Sequence, residues 1–219
     1  MTKLDDNEIR RHVNAELDWD PTIDASGVGV AVKDGVVTLT GSIPSYWQRT
    51  EVERVVKRVT GVRAVAEDLA IKLPDAAERS DPDIAQSVLS AMRFNVAVPS
   101  HRVQAMVENG WVTLEGEVDW QFQKSAAETA VKYLMGVKGI SNNISIKRRA
   151  IAADVKAKIE GAFARRAKLD ANEITVEATD SKVILRGKVH SWDEKEEAEE
   201  AAWAAPGVTM VENKVTVTP

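Results

Sequence analysis

The sequence is one pattern written three times. Gly41, Gly116 and Gly187 occupy the same place in three units. Leu39, Leu114 and Leu185 stand two residues before them, and Val37, Val112 and Val183 four before. Gly61-Val62, Gly136-Val137 and Gly207-Val208 follow at one common spacing, then Val65, Ile140 and Val211. Upstream, Ile9, Ile84 and Val155 align, as do Leu17, Met92 and Phe163, without a gap. Such a chain folds as copies of one supersecondary unit. The units run 3–73, 79–148 and 150–219, and Pro74 to Ser80 reads as a polar linker. Each unit is small enough that its core must be economical.

Within a unit the order is helix, strand, strand, helix, strand. Ile9, Val13 and Leu17 form an i, i+4, i+8 stripe on the first helix. Asp81 before Pro82 predicts an N-cap followed by N1. Val103, Ala105 and Val107 alternate as in a half-buried strand. Asp34-Gly35 and Asn109-Gly110 then predict two-residue type I′ hairpins, while the third unit has Asp180-Ser181. The register this imposes pairs Val107 with Val112 and Ala105 with Leu114, so turn and alternation agree. Ser45 with Gln48 and Ser191 with Glu194 predict capping boxes for the second helix. Its buried face reads Val52, Val55, Val56 and Val59, then Ala127, Ala130, Val131 and Leu134, then Ala198, Ala201, Ala202 and Ala205.

Composition narrows the chemistry. No cysteine is present, which excludes disulfides, thiolate metal sites and cysteine nucleophiles. A formal charge of −5 argues against a nucleic-acid partner, which needs a basic footprint. His12, His101 and His190 fall at three different repeat positions, without metal-ligand spacing. No catalytic constellation and no cofactor motif appears, so the expectation is a protein that is not an enzyme, with no cofactor and no metal. No apolar run approaches the length of a membrane span. Residues Met1 to Glu8 lack the apolar stretch of a signal peptide, which predicts a cytoplasmic location, or a periplasmic one if the N-terminus was trimmed.

One repeated feature is not explained by folding, and a second candidate lies on the sheets. Aromatic residues gather at the start of the second helix: Tyr46 and Trp47, Trp120 and Phe122, and Trp192. A basic residue follows at one fixed position: Arg49, Lys124 and Lys195. A cation there opposes the helix dipole. Aromatic plus cation suits an anchor for anionic head groups. The alternative is that the rings pack on a neighbouring unit and the cations pair with nearby glutamates. The second feature is the sheet face turned away from the helices. It carries Met106, Trp111 and Thr113 in unit two, Ala31, Val36 and Thr38 in unit one, and Thr175, Ile184 and Arg186 in unit three. Met106, Trp111 and Trp203 read as interface residues.

The string Gly35-Val36-Val37-Thr38-Leu39-Thr40-Gly41-Ser42-Ile43, with Gly61-Val62 beyond it, resembles the BON domain. Gly110 to Val118 with Gly136-Val137 does the same, as does Leu185-Arg186-Gly187-Lys188-Val189 with Gly207-Val208. The resemblance covers nearly the whole chain. It implies an α+β fold of three tandem αββαβ units, each a small three-stranded sheet with two helices on one face. It also implies a non-enzymatic, transport-associated or osmotic-stress binding module with phospholipid surfaces as its partner. Two alternatives stay open: a scaffold that binds protein partners or itself, and a small-ion sensor like a potassium-binding relative.

Overall fold

The computed structural model describes residues 4–147, 155–166 and 173–218. It divides into two compact units, one ending at Ser145 and one starting at Ile146. The first holds repeats 1 and 2, the second repeat 3.

Repeat 1 runs α1 (Asp6–Trp19), β1 (Val28–Lys33), β2 (Val36–Ile43), α2 (Tyr46–Lys57) and β3 (Ala64–Ile71). Repeat 2 runs α3 (Asp81–Phe94), β4 (Val103–Glu108), β5 (Trp111–Val118), α4 (Gln121–Lys132), β6 (Gly139–Asn142) and β7 (Ser145–Ile146). Repeat 3 runs α5 (Val155–Arg165), β8 (Ile174–Thr179), β9 (Lys182–Val189), α6 (Trp192–Trp203) and β10 (Met210–Val217). The fold is thus mixed α and β, with three small sheets and six helices among the described residues.

In each repeat the second strand is central. It pairs antiparallel with the first strand through the hairpin and parallel with the third. The parallel neighbour is reached through the second helix, as a crossover requires. The predicted hairpin register holds, with Val107 opposite Val112 and Ala105 opposite Leu114. In repeat 2 the last strand breaks between Asn142 and Ser145. There the Asn142 carboxamide oxygen accepts from the Ile144 N–H at 3.4 Å.

The inward residues of the sheet and the apolar stripes of both helices form one core. In repeat 1 Val37, Leu39 and Ile43 meet Val13, Leu17, Val52, Val55 and Val56. In repeat 3 Val183, Leu185 and Val189 meet Ile159, Phe163, Ala198, Ala201 and Ala202. The helix-two face is narrower than predicted in repeat 2. Ala127 and Val131 are buried, but Ala130 and Leu134 only in part.

The anchor glycines have a steric cause. Gly41, Gly116 and Gly187 have φ of 113°, 140° and 143°. A Cβ there would stand 2.1, 2.1 and 2.0 Å from the carbonyl oxygens of Gly27, Arg102 and Glu173. The chain entering the first strand therefore crosses the second too closely for any side chain.

The turn chemistry divides the repeats. Asp34 and Gly35 both take positive φ (53° and 75°), as do Asn109 and Gly110 (53° and 81°), as type I′ demands. A carboxylate from the first helix holds each turn. Asp6 accepts from the N–H groups of Asp34 and Gly35 at 2.8 and 3.0 Å. Asp81 accepts from those of Asn109 and Gly110 at 2.8 and 2.9 Å. Asp81 is therefore not the N-cap. That role belongs to Ser80, whose hydroxyl accepts from the Asp83 N–H, and Asp81 is freed to clamp the hairpin. Repeat 3 has Ala152 at this position in the sequence, outside the described residues, and no glycine in its turn.

The two expected capping boxes are half formed. Ser45 accepts from Gln48 N–H at 3.2 Å, but the Gln48 carboxamide accepts from Asp24 N–H at 3.1 Å. Ser191 accepts from Glu194 N–H at 3.2 Å, while the Glu194 carboxylate accepts from His190 N–H at 3.0 Å. The Glu194 carboxylate reaches the residue just before its cap, whereas the Gln48 carboxamide reaches the loop that follows α1.

Candidate interaction surfaces

The three helix-two tips share residue types but not geometry. In repeat 1 the Trp47 ring lies 5.7 Å from the ring of Tyr133 in repeat 2, tilted by 43°. Arg49 does not point outward as a free cation. Its Nε donates to Glu67 Oε1 of β3 at 2.6 Å. Tyr46 is half-buried, and burial, then the nearby Glu128 charge, raises its phenol pKa. In repeat 2 Trp120 takes the N-cap place, and Gln123 accepts from the N–H groups of Asp119 and Trp120 at 3.0 and 3.1 Å. Phe122 is 59% exposed. Asn142 donates to the Lys124 carbonyl and to the Glu128 carboxylate, both at 3.0 Å. Asn213 repeats this with Lys195 and Glu199, both at 3.1 Å. In repeat 3 the paired types meet within one tip: Lys195 Nζ stands 5.2 Å over the Trp192 ring.

The outer sheet faces differ from repeat to repeat. In repeat 2 Met106 and Trp111 are exposed. Trp111 is also fixed within its own sheet: its ring lies against Gly139, and its Nε1 donates to Ser141 Oγ at 2.9 Å. Repeat 3 has a charged face instead. Glu212 lies 2.6 Å from Lys182 Nζ and 2.7 Å from Lys214 Nζ, and Arg186 pairs with Glu177 at 3.2 Å. Hydrogen bonds from Lys182 and Lys214 bring the Glu212 pKa down to about 2. Trp203 is half-buried against the core of its own repeat, with its Nε1 3.5 Å from a Glu199 carboxylate oxygen.

A further pair of aromatics lies outside the helix-two tips and the outer sheet faces. Trp19 and Phe94 are the last residues of α1 and α3, at the same repeat position, and each is 84% exposed. Both are set on a rigid stop. The Asp20 carboxylate accepts from Thr22 N–H at 3.0 Å and from its hydroxyl at 2.5 Å. These bonds lower the Asp20 pKa, the hydroxyl's contribution being the larger. Asn95 likewise accepts from Ala97 N–H at 3.0 Å. Beyond Phe94, Val96 is fully exposed, and Leu89 on α3 is exposed as well. Repeat 3 has Arg165 at this place. The signal was available: aligning the repeats two residues past Leu17, Met92 and Phe163 shows Trp, Phe and Arg, off the buried stripe.

No cluster of three metal-ligating side chains occurs among the described residues, and no helix there is long and apolar enough to cross a membrane. The BON domain model matches residues 5–72, 80–148 and 151–219. The chain belongs to the BON domain family. The osmotically-inducible protein Y of Escherichia coli is 32% identical over 150 residues, 66% of this chain and 74% of that protein. The outer membrane lipoprotein DolP of Haemophilus influenzae is 30% identical over 142 residues, 64% of this chain and 73% of that protein. Among solved structures, the type III secretion protein CdsD of Chlamydia trachomatis is 15% identical with a TM-score of 0.28, covering 95% of this chain and 91% of that one. The expected cytoplasmic location finds no support among these BON relatives, one of which is named as an outer-membrane lipoprotein.

Proposed function

We propose that this BON protein is a non-enzymatic, stress-associated binding protein that seats exposed aromatic side chains into a phospholipid surface. The observation that carries this reading is the pair Trp19 and Phe94. Large rings held out in water at the same place in two repeats cost free energy that folding does not require. Val96 and Phe122 widen the apolar surface offered by repeat 2. The helix-two cations Lys124 and Lys195 are the residues of the tips that suit a phosphate-bearing head group. The names of the two relatives, an outer membrane lipoprotein and an osmotically inducible protein, support the same reading.

Charge bears on the mode of contact. Asp18 and Asp20 flank Trp19, and the chain is net acidic. Attraction to an anionic surface is therefore not the driving term, and apolar insertion is. Co-sedimentation with phosphatidylcholine–phosphatidylglycerol vesicles tests this. The wild type binds and stays bound at high salt. Trp19→Ala and Phe94→Ala each weaken binding roughly tenfold, the loss from returning one ring to water. A wild type left in the supernatant rejects the proposal.

The exposed Met106 and Trp111 favour a second reading, a protein partner on the outer face of repeat 2. Trp111→Glu would abolish such a complex without changing vesicle binding. Full retention of the partner by that variant removes this reading.

A further inference from the structure

Repeats 1 and 2 touch through side chains from α2 and from the C-terminal end of α4 with its cap residue Tyr133. Besides the contact of the Trp47 and Tyr133 rings, Lys132 Nζ stands 5.0 Å from the Tyr133 ring centroid and 3.8 Å from Glu51 Oε1. The linker between the repeats is also pinned. Asp75–Ala77 forms a single 3₁₀ turn. The Arg79 guanidinium donates to the carbonyls of Ala76 and Glu78 at 2.9 and 2.7 Å, and reaches Met135 Sδ of repeat 2 at 3.3 Å.

The residue types at this junction are not those of the repeat. The place held by Tyr133 is Arg58 in repeat 1 and Ala204 in repeat 3. Folding of the repeat therefore does not ask for an aromatic ring there. Tyr133 is 57% exposed, and the ring is placed where it serves the neighbouring repeat. Trp47 and Phe122 share one repeat position, yet Phe122 remains mostly exposed and Trp47 is half-buried.

We propose that Trp47, Glu51, Lys132 and Tyr133 form a latch that holds repeats 1 and 2 as one body. The helix-two aromatic of repeat 1 then serves this junction rather than an external ligand. The latch does not depend on what the chain binds. It joins an aromatic contact, a cation over a ring and an ion pair around one tyrosine, so its members are energetically coupled.

The chain has no cysteine, so a labelled pair is simple to introduce. Asn14→Cys on α1 and Gln86→Cys on α3, both exposed, would carry spin labels on the full-length protein. Dipolar spectroscopy then reads the distance between repeats. One narrow distribution is expected. Trp47→Ala and Tyr133→Ala should each broaden it, with no further broadening when combined, and Tyr133→Phe should leave it narrow. Far-UV circular dichroism verifies that each variant is folded. Should the tyrosine variant not fold, Lys132→Glu, which sets like charges opposite Glu51, gives the same reading. A distribution already broad in the parent, or one that no substitution moves, overturns the latch. Vesicle binding is not part of this readout, so a chain that ignores phospholipid would remove the surface proposal and leave the latch to stand or fall by itself.

Discussion

A single carboxylate can decide whether a tight turn forms. Asp81 accepts from both N–H groups of the Asn109-Gly110 turn. Asp81→Ala leaves both donors to water and should cost about 1–2 kcal/mol in urea unfolding, since bonds to a charged acceptor outweigh neutral ones but this site is partly solvated. An unchanged midpoint would show that the turn residues suffice alone. A second residue-scale case concerns Trp111. A Cβ at Gly139 would fall 2.3 Å from its ring, so Gly139→Ala must drive the indole off the strand. Iodide should then quench the ring more strongly, and unaltered quenching would argue against this packing. The third is Glu212. Its folded-state pKa of about 2 lies below the ordinary value of 4.5. The ion-pair stabilisation is therefore full above the unfolded pKa and fades as pH falls from 4.5 toward 2. Glu212→Gln should remove that part of the acid sensitivity of repeat 3, measured by thermal unfolding across this window. The triad is solvent-exposed, so added salt should shrink the effect.

At the scale of elements, the second helices show one scaffold filled in two ways. Val56, Val131 and Ala202 hold the same repeat position, and all are fully buried. Val131→Ala empties a fitted site and should cost roughly 2 kcal/mol. Ala202→Val asks repeat 3 to accept two more methyl groups where its helix presents only alanines, and should cost about 1–3 kcal/mol. Chemical denaturation of each variant checks the pair. Stabilisation by Ala202→Val would mean a void where close packing is inferred. These faces were legible in the sequence because burial follows period, and period needs no knowledge of the neighbour. The caps were less so. Pro82 suggested a helix starting one residue late because proline is tolerated at the second helical position as well as the first. The boxes expected of Gln48 and Glu194 stay open because each side chain is engaged elsewhere. Gln48 accepts instead from Asp24 in the loop after α1, a long-range contact that no local spacing announces, and Glu194 from His190.

For the whole molecule, threefold repetition made the fold readable, since every apolar position was seen three times. The exposed aromatics proposed to meet phospholipid were less readable for the same reason. The helix-two tips carry aromatics in all three repeats, whereas Trp19 and Phe94 share a position that is aromatic in two. The tips have also diverged: Trp47 faces Tyr133, Arg49 is paired with Glu67, and Lys195 covers Trp192. Repetition reports what the fold needs, and departures from it report what each copy does. The surface proposal requires that the ring of Trp19 enter the apolar layer of a phospholipid bilayer. A chain keeping Trp19 as its sole tryptophan, the other five replaced by phenylalanine, isolates that ring. On phosphatidylcholine–phosphatidylglycerol vesicles with brominated acyl chains, its emission should shift to the blue and be quenched by the bromine. Protein that co-sediments while Trp19 stays red-shifted and unquenched would contradict the claim.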